Sequence, residues 1–348
     1  IKQLASYPLA ERIRMRLETS RRGEPGSRTR LYRYAQILSV AVVVLLAAGA
    51  MVKSTETGLS VPDWPLSFGQ VMPRMSPEVP YFYEHGHRMI ATLVGALTVV
   101  LAAWLHLREP RAWMRRLGWA ALLMVVLQGV LGGMTVLLQL PVWTSAAHAT
   151  LAQGFFLVVV LIALALSPGW NTKSRSPEAF DSRTPVLATL ATAAIFAQLV
   201  LGAVLRHMEA WQAIQDWPLS NGRLIPPVFT PEVAIHFAHR VWAYVVLVLC
   251  VAAGVSALRT AGKRSDIASP AILSLILVVV QVMLGVLVVW TRRQPHVSST
   301  HLVVGALLLA VSFILSARSW RYLRTPQPPL AETLSAREGA VGYGKGGA

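Results

Sequence analysis

The chain has 348 residues, 54% hydrophobic and 14% charged, with a mean hydropathy of +0.52 and a formal net charge of +16. That composition excludes an ordinary soluble domain, and the single cysteine, Cys250, excludes an intramolecular disulfide. The positive charge does not indicate nucleic acid, because 24 of the 32 Lys and Arg lie in the two tails and in the loops after the second, fourth and sixth apolar runs.

Residues 1–33 read as a basic cytoplasmic tail with nine Lys or Arg and no cleavable signal pattern. Eight apolar runs follow, at 34–52, 87–107, 117–138, 145–166, 185–205, 235–257, 270–290 and 298–317. Each approaches the roughly 20 residues needed to cross a hydrocarbon core. The charge bias places both termini in the cytoplasm, or in the matrix of a mitochondrion. The two long outer loops, about 53–84 and 206–234, are rich in Pro, Trp and Gly and read as ordered caps. An inner linker spans 167–184, and 318–348 form a second cytoplasmic tail. The lipid bilayer is the first partner these features require.

An internal repeat organises the chain. "DWPLS" occurs at Asp63–Ser67 and again at Asp216–Ser220, 153 residues later. Gly49 and Gly202, Gln128 and Gln281, Leu131-Gly132 and Leu284-Gly285, and His148 and His301 share that offset, while His87-Arg88 and His239-Arg240 differ by 152. The expected fold is therefore an all-α polytopic membrane protein with eight transmembrane helices. They form two parallel, pseudo-symmetric four-helix bundles, 34–166 and 185–317.

Four of the nine histidines obey the repeat: His87, His148, His239 and His301. They fall near the starts of the second, fourth, sixth and eighth runs, hence at one depth near the outer face, two per bundle. Facing histidines inside a four-helix bundle can hold haem iron from both axial sides, and small residues around His148 and His301 leave room for a macrocycle. Hydrogen bonds across helices, or a place at the headgroup level, are the structural alternatives. His85, His207 and His296 are expected to be solvent-exposed beside the outer loops, and His106 interfacial. Arg88 and Arg240 are expected either at haem propionates or at the headgroups and outer-loop acids. Asp63 and Asp216 read as loop-ordering residues.

The halves differ at one chemically pointed place. Glu84 precedes His87 by three residues and shares its helix face, whereas the matching position in the second half is His236. A carboxylate beside an iron-bound substrate can take protons, which suggests chemistry in the first bundle and electron transfer in the second. The bland alternative is an acidic residue favoured at a helix N-terminus.

On "TGLSVPDWPL" (Thr57–Leu66), "EHGHR" (Glu84–Arg88), "HFAHR" (His236–Arg240) and the segments around His148 and His301, the sequence resembles the haem A synthase family. The resemblance covers about residues 35 to 318. It implies oxidation of the C8 methyl of haem O to a formyl group, giving haem A for cytochrome oxidase, in a bacterial inner membrane. It also implies that His87, His148 and Glu84 form the substrate site, and that His239 and His301 ligate a b-type haem. A haem O synthase, an electron-transfer partner and a homo-oligomer enter as expected partners on the same ground. Some members carry a cysteine pair in the first outer loop; here Ser67 follows "DWPL", so no thiol step is carried over. A dihaem electron-transfer subunit is the main competing reading, and a transporter built from parallel repeats a third. Prenyl transfer lacks an Asp-rich pyrophosphate motif.

Overall fold

The computed structural model describes residues 25–73, 81–171, 181–261 and 265–323. The parts of the two tails, the inner linker and the first outer loop that fall at 1–24, 74–80, 172–180 and 324–348 lie outside the described residues.

Eight long helices are present: α1 Pro25–Ser54, α2 Phe82–Arg108, α3 Ala112–Leu137, α4 Val142–Leu166, α5 Arg183–His207, α6 Pro231–Ala261, α7 Ser265–Trp290 and α8 Pro295–Leu323. All eight are long and apolar enough to cross a membrane. Each expected run therefore sits inside a helix, but the helices are longer. α1 starts at Pro25 rather than 34 and α8 runs to Leu323 rather than 317. Proline opens α6 and α8, where a missing N–H leaves no intrahelical bond unmade. Pro270, inside α7, would leave the carbonyl of Asp266 without its usual partner four residues on. Arg318 Nη1 of α8 donates to that carbonyl at 2.5 Å.

In the first half α1 packs on α2 and α4, and α3 lies against α2 and α4; α5 to α8 repeat this ring. The rings meet through α1 with α8, α4 with α5, and α4 with α8. One core holds Leu38, Leu101, Met114, Val159 and Ile162; the other holds Ala191, Cys250, Ile267, Leu308 and Leu315. Ala306 and Ala310 of α8 belong to the first core and stitch the two rings together.

The repeat extends to unusual backbone. Left-handed φ values occur at Glu56, Phe68, Gly69, Gln139 and Leu140, and again at Glu209, Asn221, Gly222, Arg292 and Arg293, each 153 residues later. Trp64-Pro65 and Trp217-Pro218 are both cis. The loops thus follow the same course in each half. Asp63 and Asp216 explain part of this. Asp63 accepts from Phe68 N and Gly69 N at 2.8 Å each. Asp216 accepts from Asn221 N and Gly222 N at 2.7 and 2.8 Å. Both acids order loops, as expected.

Two histidine expectations change. His85 is only 3% exposed, because its Nδ1 lies 2.8 Å from the buried Ser67 hydroxyl. His207 is half-buried rather than free in solvent, at the end of α5. His296 is exposed, as expected.

At the long-loop end, here termed outer, polar ties cross between the rings. Arg206 Nη2 of α5 donates to Ala50 O and Ser54 Oγ of α1, both at 2.6 Å. Ser54 Oγ in turn meets Ser299 Oγ of α8 at 3.0 Å. Lys53 pairs with Glu209, and Arg293 pairs with both Glu56 and Glu209.

Candidate functional site

Each of the four repeat-related histidines faces a glycine on the preceding helix. A Cβ at Gly49 would lie 2.9 Å from His87 Cε1, and one at Gly202 would lie 3.0 Å from His239 Cε1. At Gly132 and Gly285 the distances to His148 and His301 Cε1 are 3.2 and 3.3 Å. Any side chain at these four positions would push the ring. The glycines that mark the repeat in the sequence are therefore the places where the imidazoles fit between helices.

The rings share a second property. Nδ1 of His87, His148, His239 and His301 is buried and has no hydrogen-bond partner. The carbonyls of Leu45, Gln128 and Gln281 approach His87, His148 and His301 without completing a bond. His87 lies within electrostatic reach of His148, and His239 of His301, so the pairing runs within each half. Buried polar atoms left unpaired in this way are uncommon in a finished core. Two imidazoles per ring, each in a glycine notch and unsatisfied by protein, fit an iron tetrapyrrole held from both sides.

Around this shared frame the surroundings diverge. Gln198 Nε2 donates to His239 O at 2.9 Å and lies 3.3 Å from His239 Nε2. Gln281 Nε2 donates to His301 O at 3.0 Å. The position matching Gln198 in the first half is Leu45, so His87 has no such amide beside it.

Glu84 is buried in the first turn of α2, at 3% exposure. Its Oε2 accepts from Val61 N at 2.8 Å and Ser60 Oγ at 3.1 Å; its Oε1 accepts from Arg88 Nη2 at 2.6 Å. The carboxylate thus pins the outer loop over the first histidine pair while lying one turn from His87. His236, in its place, puts Nδ1 3.1 Å from Ala210 O and is also buried.

Arg88 and Arg240 adopt the loop-binding alternative. Arg88 donates to the carbonyls of Asp63, Leu66 and Val61 at 2.7, 2.9 and 3.2 Å. Arg240 donates to those of Asp216, Leu219 and Ile214 at 2.8, 3.0 and 3.0 Å. Each guanidinium clamps the "DWPLS" turn onto the helix that carries the first histidine of its half.

Sequence reasoning missed His85. It lies one residue after Glu84, its Nε2 is buried and unpaired, and the second half has Phe237 there. Aligning the repeat residue by residue would have shown a second polar group confined to the first half.

Residues 32–313 match the family described as cytochrome oxidase assembly protein, COX15-CtaA. The chain is 35% identical over 260 residues to a Heme A synthase of Symbiobacterium thermophilum, covering 72% of this chain and 83% of that protein. It is 31% identical over 296 residues to one from Halalkalibacterium halodurans, covering 81% and 95%. It is 30% identical over 295 residues to one from Alkalihalophilus pseudofirmus, covering 82% and 96%.

Proposed function

The chain belongs to the haem A synthase family of cytochrome oxidase assembly proteins, and from that premise we propose that it oxidises the C8 methyl of haem O to a formyl group. The substrate lies in the first half between His87 and His148. A b-type haem lies in the second half between His239 and His301. The observation that carries this division is Glu84, a buried carboxylate one turn from His87, present in one half of a duplicated frame.

The chain's own residues supply holding, closure and proton transfer. His87 and His148 fix the substrate by its iron, so that its ring edge is presented at a constant depth. Val61, Ser60 and Arg88 hold Glu84 in a single orientation, which removes the need to reorganise it during reaction. Oxidation at a methyl group releases protons with the electrons, and Glu84 is the carboxylate placed to accept them, with Arg88 balancing its charge. The loop clamped by Arg88 covers the site and limits access of bulk water. A b-type haem bound in the second half would supply one-electron transfer. Gln198 and Gln281 brace that half around its histidines.

The charge bias places both termini in the cytoplasm and the histidines toward the outer face of a bacterial inner membrane. A haem O synthase is the natural donor of substrate, and an electron-transfer partner must take the electrons.

Coexpression with a source of haem O, followed by chromatography of extracted pigments, tests the reading. The wild-type chain should yield haem A; its absence would overturn the assignment. Glu84→Gln keeps an oxygen for the Val61 amide but cannot act as a carboxylate. It should lower haem A formation by about 100-fold or more while bound haem stays constant. Undiminished haem A from that variant would remove Glu84 from the chemistry.

A further inference from the structure

Glycine inside a helix costs about 1 kcal/mol relative to alanine, so it needs a reason. Gly118, Gly154, Gly254 and Gly305 have one, since each lies against a neighbouring side chain, as do the four histidine notches. Gly133 of α3 takes the indole of Trp64 at 2.7 Å from its would-be Cβ. Gly95 of α2 and Gly129 of α3 are different: a Cβ built on either meets nothing within 4 Å. No close approach explains them.

The second half does not keep these glycines. Leu247, Val282 and Val286 stand where the first half has Gly95, Gly129 and Gly133. Leu247 packs against the second core, and Val286 is buried. Three substitutions toward bulk thus separate the bundles, and all three lie on the second and third helices of a half.

Their depths form a series. α2 and α3 run antiparallel through a short inner connection, so His87 lies about level with Gly132. At a rise of about 1.5 Å per residue, Gly129 lies roughly 4.5 Å further into the membrane and Gly95 roughly 12 Å. The series begins at a group unsatisfied by protein. His148 presses Cε1 against Gly132, its Nδ1 is buried and unpaired, and Oε1 of Gln128, next to Gly129, is buried and unpaired as well. Trp64 roofs the outer end at Gly133.

We propose that Gly129 and Gly95 floor a groove that takes the isoprenoid tail of the substrate haem, and that this groove distinguishes a tailed from an untailed haem. The inference rests on the substrate reading given above. An untailed haem carries a short vinyl substituent where the substrate carries a long apolar chain. A site for the longer ligand needs apolar room leading away from the iron toward the bilayer interior. The first half has that room, and the second fills it with aliphatic side chains.

The test transplants the second half's residues into the first. The Gly95→Leu/Gly129→Val double variant is purified as the full chain with its resident haem, and its first site is titrated separately with haem O and haem b by absorbance. Affinity for haem O should fall at least about tenfold, and that for haem b should change by less than about threefold. The resident b-type haem, read by its reduced-minus-oxidised spectrum, should be unchanged and reports an intact fold. Should the double variant lose it, Gly129→Ala, one carbon added to open space, must show the same preference on a smaller scale. Equal loss of both haems with the second site intact would assign the glycines to the macrocycle and refute the tail groove. Unchanged affinities would also refute it, as would dissociation of an oligomer without a change in haem preference, which would make Gly129 a contact between copies. A wild-type chain that binds both haems but forms no haem A would instead break the substrate reading, a result separable from these.

Discussion

In the first half Glu84 stands where the second has His236, Leu45 stands where it has Gln198, and Gly95 and Gly129 stand where it has Leu247 and Val282. The notches, the clamping arginines, the Asp-held turns and the cis prolines are the same in both. Shared parts fix where a haem sits; unshared parts decide what happens to it. The second half surrounds its histidines with amide donors and aliphatic filling, as suits a permanent resident. The first half has fewer braces, an ionisable carboxylate and unfilled space, as suits a ligand that must enter, react and leave.

The largest effect should come from removing one ligand of each pair. His239→Ala should lower affinity for the b-type haem by more than about 100-fold while circular dichroism shows unchanged helix content. His87→Ala should leave that haem in place and abolish capture of haem O. If either variant empties both halves, the pairing within bundles is wrong.

A smaller and graded effect is expected at the notches. Gly202→Ala puts a methyl 3.0 Å from the His239 ring, and Gly285→Ala puts one 3.3 Å from the His301 ring. Haem retention should fall about tenfold for the first and only a few-fold for the second. Gly49→Ala should likewise harm substrate capture more than Gly132→Ala. A reversed order would show that something other than ring clearance limits binding.

The smallest effect concerns the caps and pH. Backbone N–H groups of Gly69 and Phe68 hold the Asp63 carboxyl below its usual range. Asp216 is also lowered: burial opposes the shift, and the N–H groups of Gly222 and Asn221 outweigh it. A depressed carboxylate contributes stability that is present above its unfolded value and lost as pH falls through the folded one. Both caps should therefore resist proteolysis at neutral pH and loosen together only in acid below about pH 4. A cap that opened alone at higher pH would show that the two turns are not equivalent.

Much of this was legible because the information is periodic. Apolar runs located the spans, and a fixed offset located the four histidines, Arg88, Arg240 and the odd carboxylate. Helix ends were less legible: Arg28, Arg30 and Arg33 continue α1, yet charged residues read as tail. The notch glycines were visible as repeat markers, but only packing shows which ring each one faces. His85 looked exposed because its partner, Ser67, lies 18 residues away across a loop. Arg206 looked like an ordinary basic helix end, since nothing local predicts acceptors on α1.

That last residue has an electrical consequence. Arg206 is anchored in the first half by Ala50 and Ser54, yet it is close enough to His301 to act on it electrostatically. His207, next to it, acts on His148 in the same manner. A guanidinium stays protonated, so a fixed positive charge sits at the seam between the two histidine pairs. An electron arriving on either side lowers its energy against that charge, and the opposite side feels the neutralisation. The halves are then joined as the two plates of a capacitor are, with oxidation in one lowering the energy needed to fill the other.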